Sequence, residues 1–265
     1  MDHRLEYNKT MWNALTGPHV KSTFYDVAGF KAGKDWLRPL EIEEMGDVRG
    51  KSLLHLQCHF GMDTLSWGRR GAKATGVDFS DEAIKAAQKL SRETGIEAEF
   101  ICSDIYALPG VLDKQFDIVF TSYGVIGWLP DLDKWGKIVT HFLKPGGFFY
   151  IAEFHPLLFT LDEQTADMRV VTPYFGQDNP YHYENGTDYA SDFTHNLASY
   201  QWQFTVGEVV TSLAKAGLHI QYLHEFPLCC FPARKYMYED KDGWWRLEGD
   251  KIPLTFSIKA VKPLL

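Results

Sequence analysis

The chain has 265 residues, 45% of them hydrophobic and 15% aromatic, enough apolar mass for one large α/β domain with inserts. Its formal charge is −8 and its pI about 5.7, and no Lys/Arg run offers the electrostatic footprint of a nucleic-acid binder. The opening MDHRLEYNKTMW lacks the apolar core of a signal peptide, and no apolar run is long enough for a bilayer, so neither nucleic acid nor membrane is an expected partner.

Residues 1–50 read as irregular and helical, with an amphipathic piece near DWLRPLEIEEMGDV. KSLLHLQ then reads as a buried parallel strand, followed by a helix over roughly 61–70 that stops at Gly71. Strand KATGVDF comes next, and Ser80 with the acids of SDEA opens a helix that ends near Gly95. AEFICSD is a third strand, FDIVFTSYG a fourth, LDKWGKIVTHFL a helix, KPGG a turn and FFYIAEF a fifth strand. Such alternation predicts a parallel sheet covered on both faces. Residues 156–204 carry no helical period, and YHYENGTDY reads as a hairpin turning on Asn185-Gly186. Helix TVGEVVTSLAKAG, strand LHIQYLHEF, a second aromatic insert and strand LTFSIKAV close the chain. The expectation is a single domain over 1–265: a cap (1–50), a core (51–155), a substrate-side insert (156–204) and a C-terminal part (205–265).

In an open parallel sheet, ligands bind beyond the carboxyl ends of the strands at the switch point. Asp78, Asp104 and the pair Ser122–Tyr123 end the second, third and fourth strands. An acid after the second strand accepts from ribose hydroxyls, and one after the third can accept from an adenine amino group. Yet CHFG keeps only Gly61 where a pyrophosphate-binding loop needs several glycines. A nicotinamide-dependent oxidoreductase is disfavoured on that ground. His55, Cys58 and His59 lie too close along one strand to converge on an ion, so no metal site is expected. The four cysteines, Cys58, Cys102, Cys229 and Cys230, form no disulfide framework and no CxxC pair, which suits a reduced cytoplasmic setting.

The ordered set LLHLQCHFG, GVDFS, CSDIYALP, FDIVFTSYGVIGWLPDL and LKPGGFFYIAE resembles the class I S-adenosylmethionine-dependent methyltransferases, and within them a bacterial subgroup acting on small molecules. The resemblance covers residues 51 to about 153. It implies a three-layer Rossmann-like fold with a seven-stranded sheet, a C-terminal antiparallel strand and aromatic-rich inserts. It also implies S-adenosylmethionine as cofactor and S-adenosylhomocysteine as product. The cofactor would lie on Gln57, Cys58, Gly61, Asp78, Phe79, Ser103, Asp104, Ile105, Ser122 and Tyr123. In the superfamily pattern the first motif's acid falls at His55 and its first two glycines at Gln57 and His59; S-adenosylmethionine has no phosphate, so the loop needs fewer glycines. HVKSTFYDVAGF resembles the cap segment, with Tyr25 near the cofactor carboxylate and Trp12 and His19 as further pocket candidates.

FYIAEFHP places Glu153 and His155 at the end of the fifth strand, as an acceptor-binding carboxylate and a base. Tyr123 and Trp128 are expected between cofactor and acceptor. The stretch 173–204 holds nine aromatics, among them Tyr181, Tyr183, Tyr200 and Trp202, which read as a satellite core, a dimer contact or a wall for a flat or cationic acceptor. Trp244 and Trp245 mark the second insert. A small-molecule acceptor and a monomer or homodimer are expected. The rival from another class is a non-catalytic binding module on the same fold.

Overall fold

The computed structural model of the chain describes residues 2–176, 179–191 and 193–264. Helix α1 (His3–Lys21) starts where the Asp2 carboxylate accepts from the Arg4 N–H. Its buried stripe, Leu5, Asn8, Met11, Leu15, Thr16 and His19, mixes apolar with polar side chains. That mixture hides a 19-residue helix from any reading of apolar periodicity. Short helices α2 (Val27–Lys31) and α3 (Pro39–Met45) lead into the sheet.

The core alternates β1 (Ser52–Leu56), α4 (Met62–Arg69), β2 (Lys73–Asp78), α5 (Asp81–Thr94), β3 (Glu99–Cys102), β4 (Phe116–Thr121), α6 (Leu132–Phe142) and β5 (Leu143–Phe154). Short strands β6 (Tyr181–Tyr183), β7 (Gly186–Thr187), β8 (Thr194–His195) and β9 (Ser199–Gln201) form the first insert. Then come α7 (Val206–Lys215), β10 (His219–Phe226), β11 (Tyr238–Glu239), β12 (Trp245–Arg246) and β13 (Thr255–Val261). The main sheet has seven strands in the order β10-β13-β5-β4-β1-β2-β3. Strands β1 to β5 run parallel, and β13 inserts antiparallel between β5 and β10. Neighbouring residues of one strand face opposite layers. Leu54, Val119 and Phe149 pack with Trp135 and Phe142, whereas Leu53, Ile118 and Tyr150 pack with Trp67 on the other side. Each such side chain, removed from water, contributes about 1.5–3 kcal/mol before entropy is counted.

The Ser80 cap expected from the sequence is present, and a second cap that was not expected opens α7. Ser80 accepts from the Ala83 N–H at 3.1 Å, and Thr205 with Glu208 forms a reciprocal capping box. Two expectations fail. KPGG does not end the chain direction; it lies inside β5, where Gly146 adopts φ +78° and the β4–β5 register shifts. Nor does Asn185-Gly186 make a two-residue turn: Gly186 pairs with His195, and Tyr181–Tyr183 pairs with Ser199–Gln201. The hairpin closes further on, where the Asp188 N–H reaches the Phe193 carbonyl at 2.9 Å. Cross-strand stacking of His182 on Tyr200, 4.6 Å between centroids, holds the longer ladder against the local turn preference. Among the described residues no helix is long and apolar enough to cross a membrane.

Candidate active site

Strand order reverses between β1 and β4, and their carboxyl ends open into a cavity of about 770 Å³. Its walls include Tyr25, Gln57, Cys58, Gly61, Asp78, Phe79, Ser103, Asp104, Ile105, Ser122, Tyr123 and Glu153. Its size falls within the range of small-molecule sites.

The β1–α4 loop sets the floor. Gln57, His59 and Gly61 all have positive φ, +58°, +49° and +81°. The loop therefore keeps three left-handed bends with a single glycine, and each non-glycine bend costs of order 1–3 kcal/mol. Compensation is visible: Gln57 donates to the Val125 carbonyl at 3.1 Å, and the His59 N–H reaches Asp78 Oδ2 at 2.8 Å. Gly61 has no such latitude, because a Cβ there would stand 2.6 Å from the Phe100 ring.

Asp78 also accepts from the Ser80 N–H at 2.9 Å, so each oxygen is aimed by one backbone donor and keeps a lone pair for the cavity. Burial pushes its carboxyl up to about 6, against the pull of those N–H groups. Asp104 accepts from the Tyr106 N–H at 3.0 Å and lines the same cavity.

A second polar group went unpredicted. Arg38, Glu41 and Asp63 line the cavity beside Tyr123. Ser122 donates to Asp63 at 2.6 Å, and burial still raises the Asp63 carboxyl to about 6. Glu41 is 2% exposed, and burial, then the charge of Asp63, pushes it up to about 8. Its Oε2, the Tyr123 hydroxyl and Gln57 Oε1 are sealed from water and make no well-formed hydrogen bond among the described residues, although the Tyr123 hydroxyl stands close enough to oppose the rise of the Glu41 carboxyl. Leaving such atoms unmatched costs about 1–3 kcal/mol each, which a polar ligand would offset. The signal was in WLRPLEIEEM: the spacing Leu37, Glu41, Met45 puts one acid inside an apolar stripe.

The cap and insert meet over the loop. His19 Nδ1 lies 2.8 Å from His59 Nε2, and His19 Nε2 lies 2.7 Å from Asp188 Oδ1. Tyr25 hydrogen-bonds Tyr189, and Asn8 bonds both backbone groups of Tyr200. Trp12 packs edge-on against His59 and Trp128. Tyr181, Tyr183 and Trp202 reach the cavity wall from the insert. Trp244 carries the Arg38 guanidinium over its ring, while Trp245 pairs with Cys229 in the second insert.

The two proposed catalytic residues occupy other roles. Glu153 accepts from four backbone N–H groups: Gly124 at 2.5 Å, Phe154 at 2.7 Å, Val125 at 2.8 Å and Ile126 at 3.0 Å. Burial raises its carboxyl and those four donors oppose the rise. Its oxygens are thereby committed to folding the β4 loop. His155 lies outside the cavity walls. Its Nδ1 accepts from the Leu157 N–H at 3.2 Å, capping the 3-10 turn Pro156–Thr160, and its Nε2 faces Glu225 at 2.9 Å. His155 keeps extended backbone one residue past the strand, but these two partners hold its ring away from the cavity that Glu153 lines. His55, at the first motif's acid position, shares a proton with Thr64 at 2.8 Å, and burial drives it down to about 3, so it is neutral.

Residues 54–151 match the family described as a methyltransferase domain. That matched segment runs from β1 to β5 and holds the strand-end acids of the cavity. A protein named ubiquinone biosynthesis O-methyltransferase from Chromobacterium violaceum is 28% identical over 111 residues, 42% of this chain and 47% of that protein. The chain thus spans about half the length of the curated relatives it matches. A solved S-adenosylmethionine-dependent methyltransferase from Clostridium acetobutylicum superposes with a TM-score of 0.57 at 16% identity, covering 97% of this chain and 99% of that one. The (4+2)-cyclase SpnF superposes with a TM-score of 0.60 at 17% identity, covering 97% and 96%. These likenesses establish the shared methyltransferase fold and not the reaction, since the cyclase has it too.

Proposed function

We propose that the chain transfers the methyl group of S-adenosylmethionine to a small-molecule acceptor. The observation that carries this is the convergence of the strand-end acids Asp78 and Asp104 with Arg38, Glu41 and Asp63 on the walls of one cavity. Asp78 would accept from the ribose hydroxyls, and Asp104 would accept from the adenine amino group. Arg38 would receive the carboxylate of the methionine end while Glu41 and Asp63 receive its ammonium. Phe79, Ser103 and Ile105 would line the adenosine, and Cys58, Gly61 and Ser122 would bound the chain between ribose and sulfur. When bound, the cofactor supplies an already activated methyl, so the protein has to align the acceptor, exclude water and move any proton. Trp12, Trp128, Tyr181 and Trp202 would form the acceptor's walls, suiting a flat ring.

A binding module on the same fold is the second reading, favoured by Gln57 and His59 where the family pattern has glycines. The proposed setting is the cytoplasm, where Cys58, Cys102, Cys229 and Cys230 remain free thiols, in a monomer or homodimer. The test is transfer of radiolabelled methyl from S-adenosylmethionine to a panel of phenols, amines and thiols. Label in one acceptor supports the reading; saturable cofactor binding with no transfer to any class favours the binding module.

A further inference from the structure

Three segments far apart in sequence converge on one buried line of hydrogen bonds. Asp188 comes from the turn of the first insert, His19 from the last turn of α1 and His59 from the β1–α4 loop. Asp188 and His19 have no exposed side-chain surface. The carboxylate can only accept, so the His19 Nε2–H donates to it. In a neutral His19 the Nδ1 then accepts, and the His59 Nε2 must donate to it. His59 is left with a bare Nδ1 lone pair. Among the described residues that nitrogen has neither a protein partner nor a seal of protein atoms, and His59 is a wall of the cavity.

We propose that Asp188, His19 and His59 form a proton relay, with His59 Nδ1 as the base that deprotonates a hydroxyl-bearing acceptor. The inference rests on the methyltransferase reading and adds the class of acceptor. His59 stands two residues from Gln57 on the loop that the methionine end would follow, and Trp12 bridges it to Trp128 on the acceptor wall. The acceptor O–H bond breaks and its proton goes to His59 Nδ1. The oxygen's electron pair forms the O–CH3 bond, the S–CH3 bond breaks, and its pair stays on sulfur as a neutral thioether.

An isolated ring here would be a poor base. Burial, then the neighbouring His19, holds His59 well below an ordinary histidine, with Asp188 pulling the other way. The relay answers this by letting the Nε2 proton pass to His19, where the positive charge rests against a carboxylate. Burial raises Asp188, but hydrogen bonds from His19 and Ser191 outweigh it and keep it below the ordinary value, so the anion is ready. Among the described residues, the other titratable groups packed on the line are the phenols of Tyr25 and Tyr189. Burial raises both, so they stay neutral and do not compete for the proton. Asp78 touches His59 only through the backbone N–H. His59 would be a catalytic residue, and His19 and Asp188 positioning residues.

The test uses the full chain saturated with S-adenosylhomocysteine, with 4-nitrocatechol as the probe, since its absorbance distinguishes phenol from phenolate. At a pH below its solution pKa the wild type should bind it as phenolate. His59→Gln should bind it as phenol, and Asp188→Asn should cut the phenolate fraction several-fold. Nitrogen-15 spectra of labelled histidines in the wild type should show His59 protonated on Nε2 and bare on Nδ1, with both tautomers appearing in Asp188→Asn. Failure to bind the probe, binding as phenol, or a His59 proton on Nδ1 overturns the relay. Absent binding of S-adenosylhomocysteine would instead overturn the methyltransferase reading, and the nitrogen-15 spectra would still decide the relay's geometry.

Discussion

Glu41→Gln separates a ligand-binding acid from a structural one, because it should help folding and harm binding. Glu41 is 2% exposed, with Oε2 sealed and making no well-formed hydrogen bond among the described residues, and its carboxyl is pushed up to about 8 from an ordinary 4.5. Folding therefore favours the protonated form. The associated stability is fully present below 4.5 and is lost as pH rises toward about 8. By pH 7 the loss amounts to roughly 3 kcal/mol, at about 1.4 kcal/mol per pH unit. Glutamine cannot ionise, and its amide can donate toward Asp63. The variant should thus gain about 1–3 kcal/mol in urea unfolding at pH 7, with the gain vanishing near pH 4.5. In the wild type, docking an ammonium against Glu41 should expel its proton, releasing about 0.9 of a proton per cofactor at pH 7. Calorimetry in buffers of different ionisation heat measures that release. Glu41→Gln should release almost none and bind S-adenosylmethionine about 10- to 100-fold more weakly. Unchanged stability together with unchanged proton release would refute the assignment of Glu41 to a buried cation site.

Four further outcomes are expected. Gly61→Ala should cost about 2–4 kcal/mol in thermal or urea unfolding, because the new Cβ meets Phe100 and the residue must hold positive φ; a loss under ~0.5 kcal/mol would contradict the packing argument. Glu153→Gln should destabilise by roughly 3 kcal/mol, since an amide N–H₂ would face backbone donors that now point at a carboxylate. His155→Ala should cost about 1–2 kcal/mol through the lost cap and leave cofactor affinity and methyl transfer unchanged; slower transfer at unaltered stability would restore it as a base. Cofactor affinity should weaken as pH falls through about 6, where burial has placed the Asp78 and Asp63 carboxyls, and Asp78→Asn should lose about 1.5–3 kcal/mol of binding at pH 7.5 to 8. Affinity flat from pH 8 to 5 would remove both acids from the site.

The order of strands and helices was readable because each core element carries its own signal: a run such as SLLHL, or a cap such as Ser80. The strand-end acids followed from topology alone, and Asp78 and Asp104 do share one cavity. What could not be read depends on contacts between distant segments. The Asn185-Gly186 dipeptide has the local chemistry of a turn, but ladder pairing with 194–201 overrides it. His155 fails for a similar reason, since its ring is taken up by Glu225 of β10 and by the Leu157 N–H of the turn that follows the strand. Polar residues on the buried stripe of α1 find their partners near residues 188 and 200, so neither the helix nor the relay is visible in a local window. Glu41 was within reach, as the one acid in an apolar stripe.

The central claim is that this cavity holds S-adenosylmethionine, and calorimetric titration of the purified chain tests it most directly. Saturable micromolar binding of S-adenosylmethionine and S-adenosylhomocysteine, with none for NAD, is the predicted result. Binding of neither sulfur ligand would mean that left-handed Gln57 and His59 do not replace the missing glycines, and the account of the site would fail.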